Sequence, residues 1–221
     1  MKLAGNAVDR ALEPHRARYE REVELLVGSA VRVMRRKGYA AATVADVLEE
    51  AELSTRAFYR HFRSKEELFL AVFERDSVES SRRMQKRLAP LPGARARLLA
   101  WIDEVLSLGY DRARAKRTGI FANEASSLRS AFPSEFVAIQ RAVYEPLVGV
   151  LEEGRADGTF PAAHPEDDAP SIHAVTWTLI EARLGGGGPP DLESARAHVL
   201  RFCLPVLGTA AGSYDTIDSG S

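Results

Sequence analysis

The sequence has a single cysteine, Cys203. An intramolecular disulfide is therefore impossible, and a metal site built on cysteine is not expected. There is no run of about 18 uninterrupted apolar residues, so no membrane-spanning helix is expected. The opening residues, MKLAGNAVDRALEPH, hold acids and a proline where a secretory signal needs an apolar stretch. These absences point to a cytoplasmic protein without membrane contact. Catalytic signatures are missing too. We find no P-loop, no dinucleotide fingerprint, no serine elbow and no metal-ligand spacing. The four glycines at 185–188 follow no strand and read as a linker, and the five histidines (His15, His61, His164, His173 and His198) are scattered. Neither an enzyme nor a cofactor is expected.

Charge of one sign is also lacking overall, with a formal net charge of −1. Its distribution is uneven. Residues 1–90 hold 18 Lys/Arg against 14 Asp/Glu, and residues 91–221 hold 12 against 17. A basic module joined to an acidic one is the expectation. The sharpest local feature is an acid-free run from Leu53 to Lys65 that contains Arg56, Arg60, Arg63 and Lys65. Such a run is often only a solvated face, so its meaning depends on the elements around it.

Strand-like alternation is absent, and nearly every segment has helical spacing. Val23, Val27, Ala30, Val31 and Met34 share one face of a helix over 20–37, which Gly38 stops. Thr43 and Asp46 form a capping-box pattern for a helix to Ala51. After the turn Glu52-Leu53, Ser54 caps a short helix ending near Phe62. Ser64-Lys65-Glu66-Glu67 opens a fourth helix that runs to Leu88, before Pro90-Leu91-Pro92-Gly93. Five longer helices are expected near 94–109, 111–128, 133–156, 166–184 and 191–207. The segment 209–221 is small and polar and reads as a disordered tail.

Two short helices across a tight turn, Thr43 to Phe62, match a helix-turn-helix. Val44, Val47, Leu48 and Ala51 supply the inner face of the first; Leu53, Ala57, Phe58 and Phe62 pack against it. The second helix then turns Thr55, Arg56, Tyr59 and Arg60 outward. A recognition helix lies in the major groove, where arginine can bond guanine and threonine can meet the thymine methyl. Tyr59, His61 and Lys65 suit phosphate oxygens. His61 reads equally well as a packed histidine, and Phe62 as a core aromatic. Arg16, Arg18 and Arg21 could belong to a minor-groove arm or to a solvated segment.

The stretch AELSTRAFYRHFRSKEELF resembles the signature of the TetR family of regulators, in Thr43, Ala51, Ser54, Tyr59, His61, Phe62, Lys65, Glu66 and Leu68. The resemblance covers about residues 20–75. One departure is Glu52, where that family usually has glycine. The resemblance implies an all-α protein with an N-terminal three-helix helix-turn-helix DNA-binding domain and a C-terminal helical ligand-binding and dimerisation domain. The expected organisation is a flexible arm over 1–19, a DNA-binding domain over 20–66, an effector-binding and dimerisation domain over 67–208 and the tail. DNA contacts fall to Thr43, Ser54, Thr55, Arg56, Tyr59, Arg60, His61 and Lys65.

The same resemblance implies a homodimer, double-stranded DNA as partner, and a repressor released from a palindromic operator by a small apolar effector, for instance an acyl-CoA or a lipid-like molecule. The alternatives are a helical protein-interaction module and a DNA-binding regulator without a ligand. Candidate pocket residues are Trp101, Tyr110, Phe121, Asn123, Phe136, Tyr144, His173 and Trp177, each equally readable as core. Glu124, Thr176 and Glu181 are further polar candidates. Arg112, Arg114, Lys116 and Arg117 read as a solvated face or as a handle for an anionic ligand. The dimer face falls on the last two helices, through Val175, Leu179, Ala182, Val199, Phe202 and Leu207.

Overall fold

The structure is a computed structural model describing residues 2–38 and 41–209; for 2–12, 14, 117 and 120–127 the description is of backbone alone. Among the described residues there are nine helices and no strand: α1 (Lys2–Lys37), α2 (Val44–Ala51), α3 (Thr55–His61), α4 (Lys65–Leu88), α5 (Gly93–Tyr110), α6 (Arg112–Ala131), α7 (Pro133–Ala156), α8 (Pro165–Leu184) and α9 (Leu192–Val206). The fold is all-α, as the periodicity requires. None of the described helices is long and apolar enough to cross a membrane.

The chain divides into two compact units, Met1–Asp76 and Ser77–Ser221. The division falls within α4, later than the expected boundary after residue 66. The first unit takes in the opening turns of α4 with their buried Leu68, Phe69 and Val72.

In the first unit α1 packs on α2 and α3, and α2 on α3. Leu26, Val27, Ala30, Val33 and Met34 of α1 are buried. Their spacing is that of one helical face, turned slightly from the expected one, since Val23 and Val31 are only half-buried. Gly38 ends α1 at φ 82, and its N–H bonds the Met34 carbonyl at 2.9 Å. Over 1–19, where an arm is expected, α1 is helical from Lys2. Alternating charges support that extension, with Arg16 bonded to Glu20 at 3.1 Å and Arg18 to Glu22 at 3.0 Å. Such i,i+4 pairs lend a helix modest support.

In the second unit α5 is central and packs on α6, α7, α8 and α9. Leu98, Trp101, Ile102 and Leu106 of α5 are fully buried, with Leu147 and Leu151 of α7, Ile180 of α8 and Val199 of α9. Close packing is enforced at Gly109, where a Cβ would meet the Ile180 backbone at 3.2 Å. Cys203 belongs to this core, and burial pushes its thiol up to about 12. It acts as a small apolar group. The expected tail over 209–221 lies outside the described residues beyond Thr209.

Candidate nucleic-acid interface

The helix-turn-helix is built on two caps and one unusual turn. Thr43 Oγ1 accepts from the Asp46 N–H at 3.2 Å, and Asp46 Oδ2 accepts from the Thr43 N–H at 3.1 Å. Both halves of the capping box are therefore present. Lys37 reaches the same carboxylate from α1 at 2.6 Å. That bond first, and the Thr43 bonds next, pull Asp46 down to about 2. Glu50 of α2 takes Arg32 and Arg36 of α1, each at 2.7 Å, and they lower its pKa. These ion pairs stitch α2 to α1.

Glu52 then sits at φ 53 and ψ 38, the single described non-glycine residue with positive φ. Its N–H bonds the Glu49 carbonyl at 3.3 Å, and the Leu53 N–H bonds that of Leu48 at 3.1 Å. This pair of bonds is a Schellman termination. The turn keeps the left-handed geometry that glycine would favour, but with a side chain. Glu52 is exposed, so its carboxylate needs no internal partner.

Ser54 starts α3, its Oγ accepting from the Ala57 N–H at 3.2 Å. Ala57, Phe58 and Phe62 are buried. Phe62 is thus a core aromatic. The opposite face of α3 is open: Thr55, Arg56, Tyr59 and Arg60 are exposed, Tyr59 to 64%. Arg56 has no hydrogen bond or ion pair among the described residues. Ser64 caps α4 by accepting from Glu67 at 3.2 Å, while Glu67 Oε2 accepts from the Arg63 N–H at 2.5 Å. The returning bond reaches one residue further back than a capping box predicts. Lys65 is half-buried, with its Nζ 4.9 Å from the Phe69 ring centroid.

His61 is a correction. Its side chain is wholly covered, with Nε2 2.7 Å from Glu22 Oε2, and the Tyr19 ring meets it edge-on at 4.4 Å. The helix-end position turns the imidazole towards α1, so it cannot reach a phosphate. Arg60 is also engaged by Glu22, at 2.9 Å. Glu22 was not among the expected site residues. It lies 39 positions from His61, and no local pattern marks it.

The second unit brings four of the eight pocket candidates together. His173 of α8 stacks on Trp177 with centroids 6.3 Å apart, and meets Tyr144 at 5.9 Å and Trp101 at 6.2 Å. Burial holds the imidazole down at about 4, so it is neutral at physiological pH. Trp101 is fully buried, and its Nε1 has no hydrogen-bond partner. Tyr110 and Phe136 have other neighbours. Tyr110 bonds the Pro189 carbonyl at 3.2 Å and lies under Arg183, and Phe136 lies under Arg129. The side chains of Phe121, Asn123, Glu124 and Arg117 lie outside the described residues. Thr176 bonds the Ile172 carbonyl within its own helix, and Glu181 accepts from Trp177. In the basic cluster, Arg114 is taken by Glu104 and Ser107, while Arg112 and Lys116 are exposed.

Three helices with a capped, outward-facing third helix define a helix-turn-helix DNA-binding protein. Residues 26–72 match the family described as bacterial regulatory proteins, tetR family. Over that stretch the chain is similar to this family, and the relatives it matches over most of their length are transcriptional regulators. One relative is the transcriptional repressor NemR of Escherichia coli strain K12, 27% identical over 80% of this chain and 90% of its own. The crystal structure of E. coli NemR in its reduced form superposes with a TM-score of 0.61, at 26% identity over 80% of this chain and 94% of that one. The uncharacterised HTH-type regulator YerO of Bacillus subtilis is 39% identical, but over 23% of this chain and 18% of its own length. The regulator FadR of Bacillus subtilis, solved with stearoyl-CoA, shares the fold with a TM-score of 0.61 at 19% identity, over 83% of this chain and 98% of that one.

Proposed function

We propose that this regulator is a dimeric repressor that reads a palindromic operator with α3 and leaves it when a small apolar molecule binds the second unit. The observation carrying the DNA-reading part is the exposed face of α3, with Thr55, Arg56 and Tyr59 turned outward from a capped and packed helix. Thr55 and Arg56 lie at the N-terminal end of α3, which in such units reaches base edges. Tyr59 and Lys65 supply phosphate contacts, while Thr43 and Ser54 act through their caps and present their backbone to the duplex.

Dimerisation falls to α8 and α9. Leu179, Val199 and Leu207 are buried in their own subunit and are withdrawn from the expected dimer face. Val175 and Ala182 are half-buried, and Phe202 stays 58% exposed; Val206, not among the expected residues, is 53% exposed one helical turn away on α9. Apolar side chains left open in this way suit a partner helix. A twofold dimer would set two α3 helices about one DNA turn apart, ~34–36 Å.

The effector site would centre on His173, Tyr144 and Trp177, where a neutral imidazole among aromatic rings suits an apolar ligand with few polar groups. The stearoyl-CoA bound to FadR supports that ligand class at the level of the fold. The test is selection of bound duplexes from random DNA by the full chain. Recovery of a palindrome supports the proposal. A well-folded protein that retains no duplex at low salt refutes it.

A further inference from the structure

Glu22 occupies an unusual place in the DNA-binding unit. It is a carboxylate on α1, only 8% exposed, and three cations or donors converge on it. Arg18 bonds Oε1 at 3.0 Å, and Arg60 and His61 share Oε2 at 2.9 and 2.7 Å. The His61 bond first, and the Arg18 bond next, pull its pKa down to about 2, so it is ionised at any physiological pH. His61 Nδ1 on the far side of the ring is buried without a partner. The imidazole is held at Nε2 by Glu22 and packed edge-on by the Tyr19 ring. Arg60 and His61 are the last residues of α3. One α1 carboxylate thus holds the trailing end of the helix that faces DNA.

Resting on the DNA-binding reading above, we propose that Glu22 is a positioning residue that fixes α3 on α1 through His61 and keeps Arg60 away from the phosphates. An arginine neutralised by a carboxylate displaces no counterion from DNA, so it adds nothing to sequence-independent affinity. Withholding that charge lowers the affinity for every duplex alike and leaves discrimination to the base contacts. The base-reading face, Thr55 and Arg56, keeps one orientation as a result.

The test measures affinity of the full chain for a mixed-sequence duplex between about 50 and 200 mM salt. It compares wild type, Glu22→Gln, Arg60→Gln and the double variant, each checked for folding by thermal melting. Glu22→Gln should bind this duplex at least about threefold more tightly at low salt, with a log–log salt slope steeper by about 0.9 per subunit. Arg60→Gln alone should leave the slope unchanged, and in the Glu22→Gln background it should restore it. A purely structural Glu22 would lower the melting temperature without steepening the slope, and that result overturns the proposal. So does an Arg60→Gln slope shallower by about 0.9 per subunit, which would mean that Arg60 already meets phosphate. The Arg60→Gln measurement stands alone if Glu22→Gln fails to fold. A wild type that binds no duplex at low salt sinks the DNA-binding reading itself; a wild type that binds while the variants misbehave sinks only the role of Glu22.

Discussion

Leu53 donates its N–H to the Leu48 carbonyl across 3.1 Å, closing the helix-turn-helix turn over a glutamate in left-handed conformation. A side chain at such a backbone costs on the order of 1 kcal/mol. Glu52→Gly should therefore stabilise the protein by about 0.5–1 kcal/mol and raise the melting midpoint by ~1–4 °C. Scanning calorimetry checks this. A lower midpoint would mean that the glutamate makes a stabilising contact which outweighs the backbone strain.

Much of this unit was legible before its structure, because its caps are local. Thr43 with Asp46, and Ser54 with the turn before it, are patterns within three or four residues, and each formed as spelled. What escaped was non-local or lacked a signal. Residues 2–19 contain Pro14, which reads as a helix break, and ion pairs such as Arg16–Glu20 support the helix that forms there. His61 carries the same letter whether it meets phosphate or Glu22; only the packing of α1 on α3 decides. The aromatic cluster around His173 draws on α5, α7 and α8, whose meeting no spacing in one helix encodes.

His173 should make stability depend on pH in a defined window. Its folded pKa is about 4, against an unfolded value of 6.5. The unfolded chain therefore binds the proton first, and stability falls as pH drops from about 6.5 to about 4, by on the order of 3 kcal/mol. His173→Phe should remove this part of the pH dependence. Glu22 and Asp46 act lower: their depressed values give stability that is present above about 4.5 and lost as pH falls towards 2. Denaturant unfolding of wild type and variant across pH 7 to 4 checks the difference. Parallel curves would show that the imidazole is not desolvated in the folded state.

Gly154 is packed against the Phe160 ring, and a Cβ there would overlap Cδ2. Gly154→Ala should cost about 1–3 kcal/mol through overpacking. Urea unfolding measures it. An unchanged midpoint would show that the ring moves aside freely.

Phe202→Arg tests the exposed apolar face of α9. The expected outcome is a shift from dimer to monomer in sedimentation, with affinity for a palindromic duplex reduced at least about tenfold, since each monomer then binds one half-site. A variant that stays dimeric places the subunit contact elsewhere.

We assign base reading to the outward face of α3 and backbone contacts to its surroundings. Affinities of Arg56→Ala and Lys65→Ala for a panel of single-base variants of the selected duplex test this assignment most directly. Arg56→Ala should flatten the preference at one position in each half-site, a loss of about 1–3 kcal/mol of discrimination, whereas Lys65→Ala should weaken every duplex alike. Uniform weakening by Arg56→Ala, with relaxed preference from Lys65→Ala, would reverse the two roles.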